Sequence, residues 1–230
     1  GVHITGGFVK ARQCDVTQSK SSGMVAKGGH IVFFESTLSD NGNFGVSYAD
    51  QRDNDGNIVS ESQGVLTNCT ISGNTGLGVH CSSSCSLINT KVLDTKVPTP
   101  AIQAGGSGVA AVLGGLISVT GCKISRNATF GIFVNGGRLV KGSVIRASGV
   151  SVTKSAVVYN GTFGAGVSPA TKEMPVAANL RIGAGGCDFK GNPQGPVEGD
   201  FSKDMATSVY VGAGLGVLAV AFLVYTLKKS

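Results

Sequence analysis

The chain has 230 residues, 41% hydrophobic and 14% charged, with a net charge of +6. That is enough for one sizeable domain with an appendage. The 36 glycines follow no three-residue period, which excludes collagen, and the basic residues form no run with interleaved aromatics, which excludes a nucleic-acid patch. Glycine at this level suits tight turns between short strands. The sequence opens at Gly1 with no signal or transit segment in view, and is expected to be a processed chain or a fragment.

One template recurs along the chain, clearest in NCTISGNTGLGVHC, residues 68–81. With Cys69 as position zero, Ile71 stands at +2, Asn74 at +5, Gly78 at +9, Val79 at +10 and Cys81 at +12. In chain order, the first copy is Cys14, Val16, Ser19, Gly23, Met24 and Ala26, and the second is Ser36, Leu38, Asn41, Gly45, Val46 and Tyr48. After the Cys69 copy comes a weaker one at Thr90, with Val92 and later Ile102. Cys122, Ile124, Asn127, Gly131, Ile132 and Val134 match at every position. A weak copy starts near Val150, with Val152, and the last is Cys187, Phe189, Asn192 and Val197, its glycine displaced to Gly195. Five and three residues before each start lies another alternating pair: Val9/Ala11, Ile31/Phe33, Gly64/Leu66, Cys85/Leu87, Ile117/Val119, Ile145/Ala147 and Ile182/Ala184. Each copy thus holds three period-2 pieces, and the phase slips between them mark corners. A minimal coil of about 21 or 22 residues with three strands predicts an all-β, right-handed parallel β-helix of about seven coils over residues 1–200.

The template decides how to read the reactive residues. Cys14, Cys69, Cys122 and Cys187 share position zero and are expected in the core, in alternate coils about 10 Å apart, beyond disulfide reach. Cys81 and Cys85, across Ser82–Ser84, are either core thiols or a local disulfide. Asn41, Asn74, Asn127 and Asn192 at +5 are expected to stack as a corner ladder. That burial argues against use of the sequon Asn127-Ala-Thr129, and leaves Asn68-Cys-Thr70 and Asn160-Gly-Thr162 open. Asp50–Asn57 is an acidic insertion, read as a solvated loop tip; Asp53, Asp55 and Asn57 are its candidate Ca²⁺ ligands, although Ile58 stands where an EF-hand loop has glycine. His3, His30 and His80 are isolated and read as surface or loop residues, with His80 pointing outward. No cofactor is expected.

Residues 201–208 read as a linker, and Val209 to Leu227 as 19 uncharged residues long enough to cross a bilayer as a helix. Tyr210 and Tyr225 lie near the ends of this segment, and Lys228-Lys229-Ser230 forms a short basic tail. The lysines favour the cytoplasmic, stromal or matrix side for the C-terminus, and hence the lumenal or outer face for the preceding domain. Gly212 and Gly216 form a G-x-x-x-G suited to a helix–helix contact.

The stretches NCTISGNTGLGVHC, GCKISRNATFGIFVNGG and ESTLSDNGNFGVSY resemble the right-handed β-helix repeat family, the pectate-lyase-like superfamily in the broad sense. The resemblance implies the fold; its members include lyases, hydrolases, adhesins and scaffolds, so it leaves function open. Its lyases bind Ca²⁺ through carboxylates and its hydrolases cluster aspartates on one face; acids are scarce here. The expectation is therefore a non-enzymatic, single-pass subunit of a larger membrane complex, photosynthetic or respiratory if organellar. Its partners would be the bilayer and other membrane subunits. The alternative is a surface-anchored polysaccharide-binding protein, a degenerate lyase or glycosidase, or an adhesin; the absence of Trp weakens sugar stacking.

Overall fold

The computed structural model describes residues 1–55, 57–100, 105–136, 147–168, 178–183, 185–199 and 202–203. The proposed transmembrane segment 209–227, its Gly212 and Gly216, and the tail 228–230 lie outside these residues. Among the described residues no helix is long and apolar enough to cross a membrane.

Among the described residues, short strands wind into three parallel sheets of eight, eight and six strands. The first sheet collects the strands at +10 to +12, beginning Val2–Thr5, Met24–Lys27, Val46–Ala49 and Leu77–Cys81. The second begins Phe8–Arg12, His30–Phe34, Gln63–Thr67 and Ser84–Ile88, and ends on Ser202–Lys203. The third holds three-residue strands such as Thr37–Ser39, Thr70–Ser72 and Lys91–Leu93. Each strand pairs with its equivalent one coil away, for example Ile71 with Leu38 and Val92, which produces the parallel β-helix expected from the repeat. The period-2 pieces point inward as read: Ile31, Leu66, Ile71, Val79, Cys81, Leu87, Val119 and Ile124 are fully buried in one continuous core. Burying such side chains stabilises by about 1.5–3 kcal/mol each.

Both corners of the third sheet are set by left-handed backbone. The residue before position zero has positive φ in every coil: Gln13, Glu35, Asn68, Asn89, Gly121, Lys154 and Gly186. So does the residue at +4: Gln18, Asp40, Gly73, Asp94, Arg126, Tyr159 and Gly191. Most of these are not glycine, so the strain must be offset by the interactions that follow each corner.

Two hydrogen-bond ladders supply these interactions. At +5, Asn41 Nδ2 donates to Asn74 Oδ1 (2.8 Å), Asn127 Nδ2 to Asn160 Oδ1 (2.9 Å) and Asn160 Nδ2 to Asn192 Oδ1 (3.1 Å). The same carbonyl oxygens accept the backbone N–H groups of Asn41, Asn127 and Asn160. The glycine at +9 makes room: a Cβ on Gly45 would lie 2.8 Å from Asn74 Nδ2. The ladder is interrupted in the fourth coil by Thr95, whose N–H donates to Asn127 Oδ1 (3.2 Å) but whose buried hydroxyl has no partner.

The second ladder runs through position zero, where cysteine alternates with Ser36, Thr90 and Ser155. The N–H of Cys14 donates to Ser36 Oγ, that of Cys69 to Thr90 Oγ1, and that of Cys122 to Ser155 Oγ. All six cysteines are free thiols, and all but the half-buried Cys14 are buried.

Four details of the sequence reading change. The sixth copy starts at Ser155 rather than Val150, because Val150 and Val152 pair with Ile117 and Val119 in the second sheet. In the fourth coil Val109 and Ala111, paired with Val79 and Cys81, fill the positions assigned to Ile102, which lies outside the described residues. The inward pair before Cys187 is Leu180/Ile182, paired with Val150/Val152, so two extra residues precede that cysteine. Asn160 is a ladder residue, which closes the question left open at its sequon.

Candidate functional site

The acidic insertion forms a two-stranded hairpin, Gln51–Arg52 with Ile58–Ser60, at the corner between the first and second sheets. Asp53 Oδ1 accepts the N–H of Asp55 (3.0 Å) and of Asn57 (2.8 Å), and its Oδ2 accepts Asn57 Nδ2 (3.0 Å). The Asp53 carboxylate therefore organises its own turn. Among the described residues no group of three His, Cys, Asp or Glu converges on a metal position.

Cys69, Cys81 and Cys85 surround Tyr48 in the β-helix core. Burial raises the thiol pKa of Cys69, Cys122 and Cys187 above the ordinary value, and a hydrogen bond with Cys81, then burial, raises that of Cys85. Since the thiolate is the reactive form, these are core thiols rather than nucleophiles. Burial also raises the Tyr48 phenol, whose hydroxyl has no hydrogen-bond partner. Its ring occupies the space that a side chain at Gly64 would fill.

The outer face of the first sheet carries an apolar stripe not recognised in the sequence. Phe44, Leu77, Phe130 and Phe163 stand at +8, in the pattern Asn-x-x-Phe/Leu-Gly, and Ala110 and Phe133 are adjacent. Leu77, Ala110 and Phe133 are buried although they lie outside the β-helix core, and Phe44 and Phe130 pack against them half-buried. Phe130 stacks on Phe163 with centroids 6.2 Å apart, and lies 5.4 Å from Phe133 at 40°. His80 belongs to this stripe, which corrects its reading as a surface residue: its ring stacks on Phe44 at 4.9 Å and 11°, and Nδ1 lies 3.0 Å from Ser47 Oγ. Burial lowers its pKa to about 4, so it is neutral at pH 7. His30 is exposed and opens a strand, as read.

On the second sheet a groove of about 550 Å³ crosses five coils. Its described lining includes Gln63, Ser86, Ser118, Ser151, Asn179 and Arg181 beside Leu116, and no carboxylate. Such a surface offers hydrogen bonds along an extended ligand but no acid/base pair among these residues.

A comparison with curated proteins finds no match. Among solved structures, the fold is similar to the A-module of the mannuronan C-5 epimerase AlgE6 from Azotobacter vinelandii (TM-score 0.66, 14% identity, covering 92% of this chain and 56% of that one). Pectate lyase Pel9A gives a TM-score of 0.45 at 11% identity, covering 90% of this chain and 67% of that one. The chain thus spans little more than half of the epimerase module, and at this identity the likeness speaks for fold alone. The family model described as right handed beta helix region matches residues 1–180, and the chain belongs to that family.

Proposed function

We propose that the chain is a non-enzymatic β-helix scaffold, tethered to a membrane by segment 209–227, that serves as an accessory subunit of a larger membrane complex from the lumenal or outer face. The observation that carries this reading is the apolar stripe on the first sheet. Phe44, Phe130 and Phe163 retain partial exposure along a rigid face, the composition of a protein–protein contact rather than of a reaction centre. The uncharged segment with Gly212 and Gly216 adds a surface for helix packing inside the bilayer.

The test is isolation from the native membrane in mild detergent, followed by identification of stoichiometric partners. The expected result is a complex that weakens in Phe44→Ser/Phe130→Ser and in Gly212→Leu/Gly216→Leu variants. A monodisperse single chain, unaffected by either pair, overturns the reading. The second reading, binding of an extended polysaccharide, is favoured by the groove on the second sheet. It predicts binding of acidic polysaccharide lost in Arg181→Ala, with the first-sheet variants unaffected.

A further inference from the structure

The sequence holds three N-glycosylation sequons, at Asn68, Asn127 and Asn160, and the fold treats them in opposite ways. Asn127 and Asn160 are each 1% exposed. Both amide groups are committed: Asn127 Oδ1 accepts the Thr95 N–H while its Nδ2 donates to Asn160 Oδ1, and Asn160 Nδ2 donates to Asn192 Oδ1. The glycine below blocks any retreat, because a Cβ on Gly131 would already lie 2.7 Å from Asn160 Nδ2. A sugar on either nitrogen removes ladder bonds and has no space in the corner.

Asn68 differs on every count. It occupies the left-handed corner before position zero (φ 54°), a conformation that asparagine tolerates well, and its side chain is exposed. Only its backbone N–H is engaged, donating to Ile88 O at 3.0 Å. Thr70, which completes the sequon, stands on the outer side of the third sheet.

We propose that Asn68 is the sequon on which the native protein carries an N-linked glycan, and that Asn127 and Asn160 must escape modification for the last coils to close. In the transfer, the Asn68 amide nitrogen bonds to C1 of an oligosaccharide held on a lipid diphosphate. The C1–O bond breaks, the lipid diphosphate leaves with the electron pair, and the amide proton passes to the transferase's base. The proposal rests on the lumenal or outer-face placement proposed above, and not on the subunit role.

The test is translation of the full chain behind a cleavable secretion signal, with and without glycosylating microsomes, followed by limited proteolysis and endoglycosidase treatment. The protease-resistant fraction is expected to show a one-glycan mobility shift, lost in Asn68→Gln. Thr129→Val/Thr162→Val removes the other two sequons without touching the ladder asparagines. This variant is expected to raise the resistant fraction only when microsomes are present. Equal resistance of parent and variant without microsomes verifies that the substitutions themselves are tolerated, and unequal resistance transfers the test to glycopeptide mapping of the parent. A protease-resistant chain glycosylated at Asn127 or Asn160, or one bare at Asn68, overturns the proposal.

Discussion

Thr95→Asn is the sharpest test of how the corners are held. Thr95 occupies +5 in the fourth coil, between Asn74 and Asn127, and is the point at which the amide ladder is broken. Its hydroxyl is buried without a partner, and Asn74 Nδ2 donates to Leu38 O alone, where Asn41, Asn127 and Asn160 also reach the next amide oxygen. The space for a longer side chain exists: Gly78 stands at +9 below, as Gly45 does below Asn74, and Thr95 Oγ1 lies 3.2 Å from where a Gly78 Cβ would be. An amide here gains an acceptor for Asn74 Nδ2 and a donor to Asn127 Oδ1. Two new bonds at about 0.5–1.5 kcal/mol each, less the fixing of one more side chain, give a net gain of about 1–2 kcal/mol. For a domain of this size that raises Tm by about 2–8 °C. The assay is calorimetric or urea unfolding of parent, Thr95→Asn and Thr95→Val, the last removing the stranded hydroxyl without adding a bond. A Thr95→Asn protein no more stable than Thr95→Val refutes the view that amide continuity stabilises the solenoid.

Three further outcomes follow from the geometry. His80 has a native pKa near 4 against 6.5 when unfolded, so the unfolded chain binds the extra proton between these values. Stability is complete above pH 6.5 and falls as pH drops towards 4, by about 3 kcal/mol if carried over in full and about 1–2 kcal/mol given partial exposure of the ring; His80→Gln is expected to flatten this segment of a stability-versus-pH curve. Gly131→Ala places a Cβ 2.4 Å from Val157 Cγ1 and 2.7 Å from Gly164 O, and is expected to cost about 2–3 kcal/mol, read as a lower urea midpoint at unchanged slope. Lys154→Gly relieves a non-glycine residue at φ 47° and is expected to stabilise by about 1 kcal/mol in the same assay.

The β-helix was legible because its core obeys a fixed spacing: Ile71, Val79 and Cys81 point inward for the same reason as Ile124, Ile132 and Val134. The register slips where another inward pair imitates the template. Val150/Val152 has the same period 2 as a pair at 0 and +2 and so stands in for Ser155/Val157, and the insertion ahead of Ser107–Ala111 displaces Val109 from its expected offset. The left-handed corners could not be read, since Glu35, Lys154 and Tyr159 carry no glycine signature for positive φ. The apolar stripe was legible in principle, as Asn-x-x-Phe/Leu-Gly. It escaped notice because +8 has the parity of the inward residues +10 and +12, yet the chain has not finished turning its corner there, and Phe44, Leu77 and Phe130 fall outside. Reading His80 as surface followed from the same omission, because its cover is Phe44.

The ladder spacing also bears on how the molecule is assembled. Successive amide partners are 32 or 33 residues apart, and position-zero partners 21 to 33. Every rung among the described residues therefore joins segments made close together in time. A nascent polypeptide can lay down one layer, pause, and use its edge as the template for the next, like a wound spring growing from one end. The same arrangement makes the solenoid vulnerable from its tips inward: under pulling force it should yield in steps of one coil, with Thr95 the first interior rung at which the unwinding accelerates.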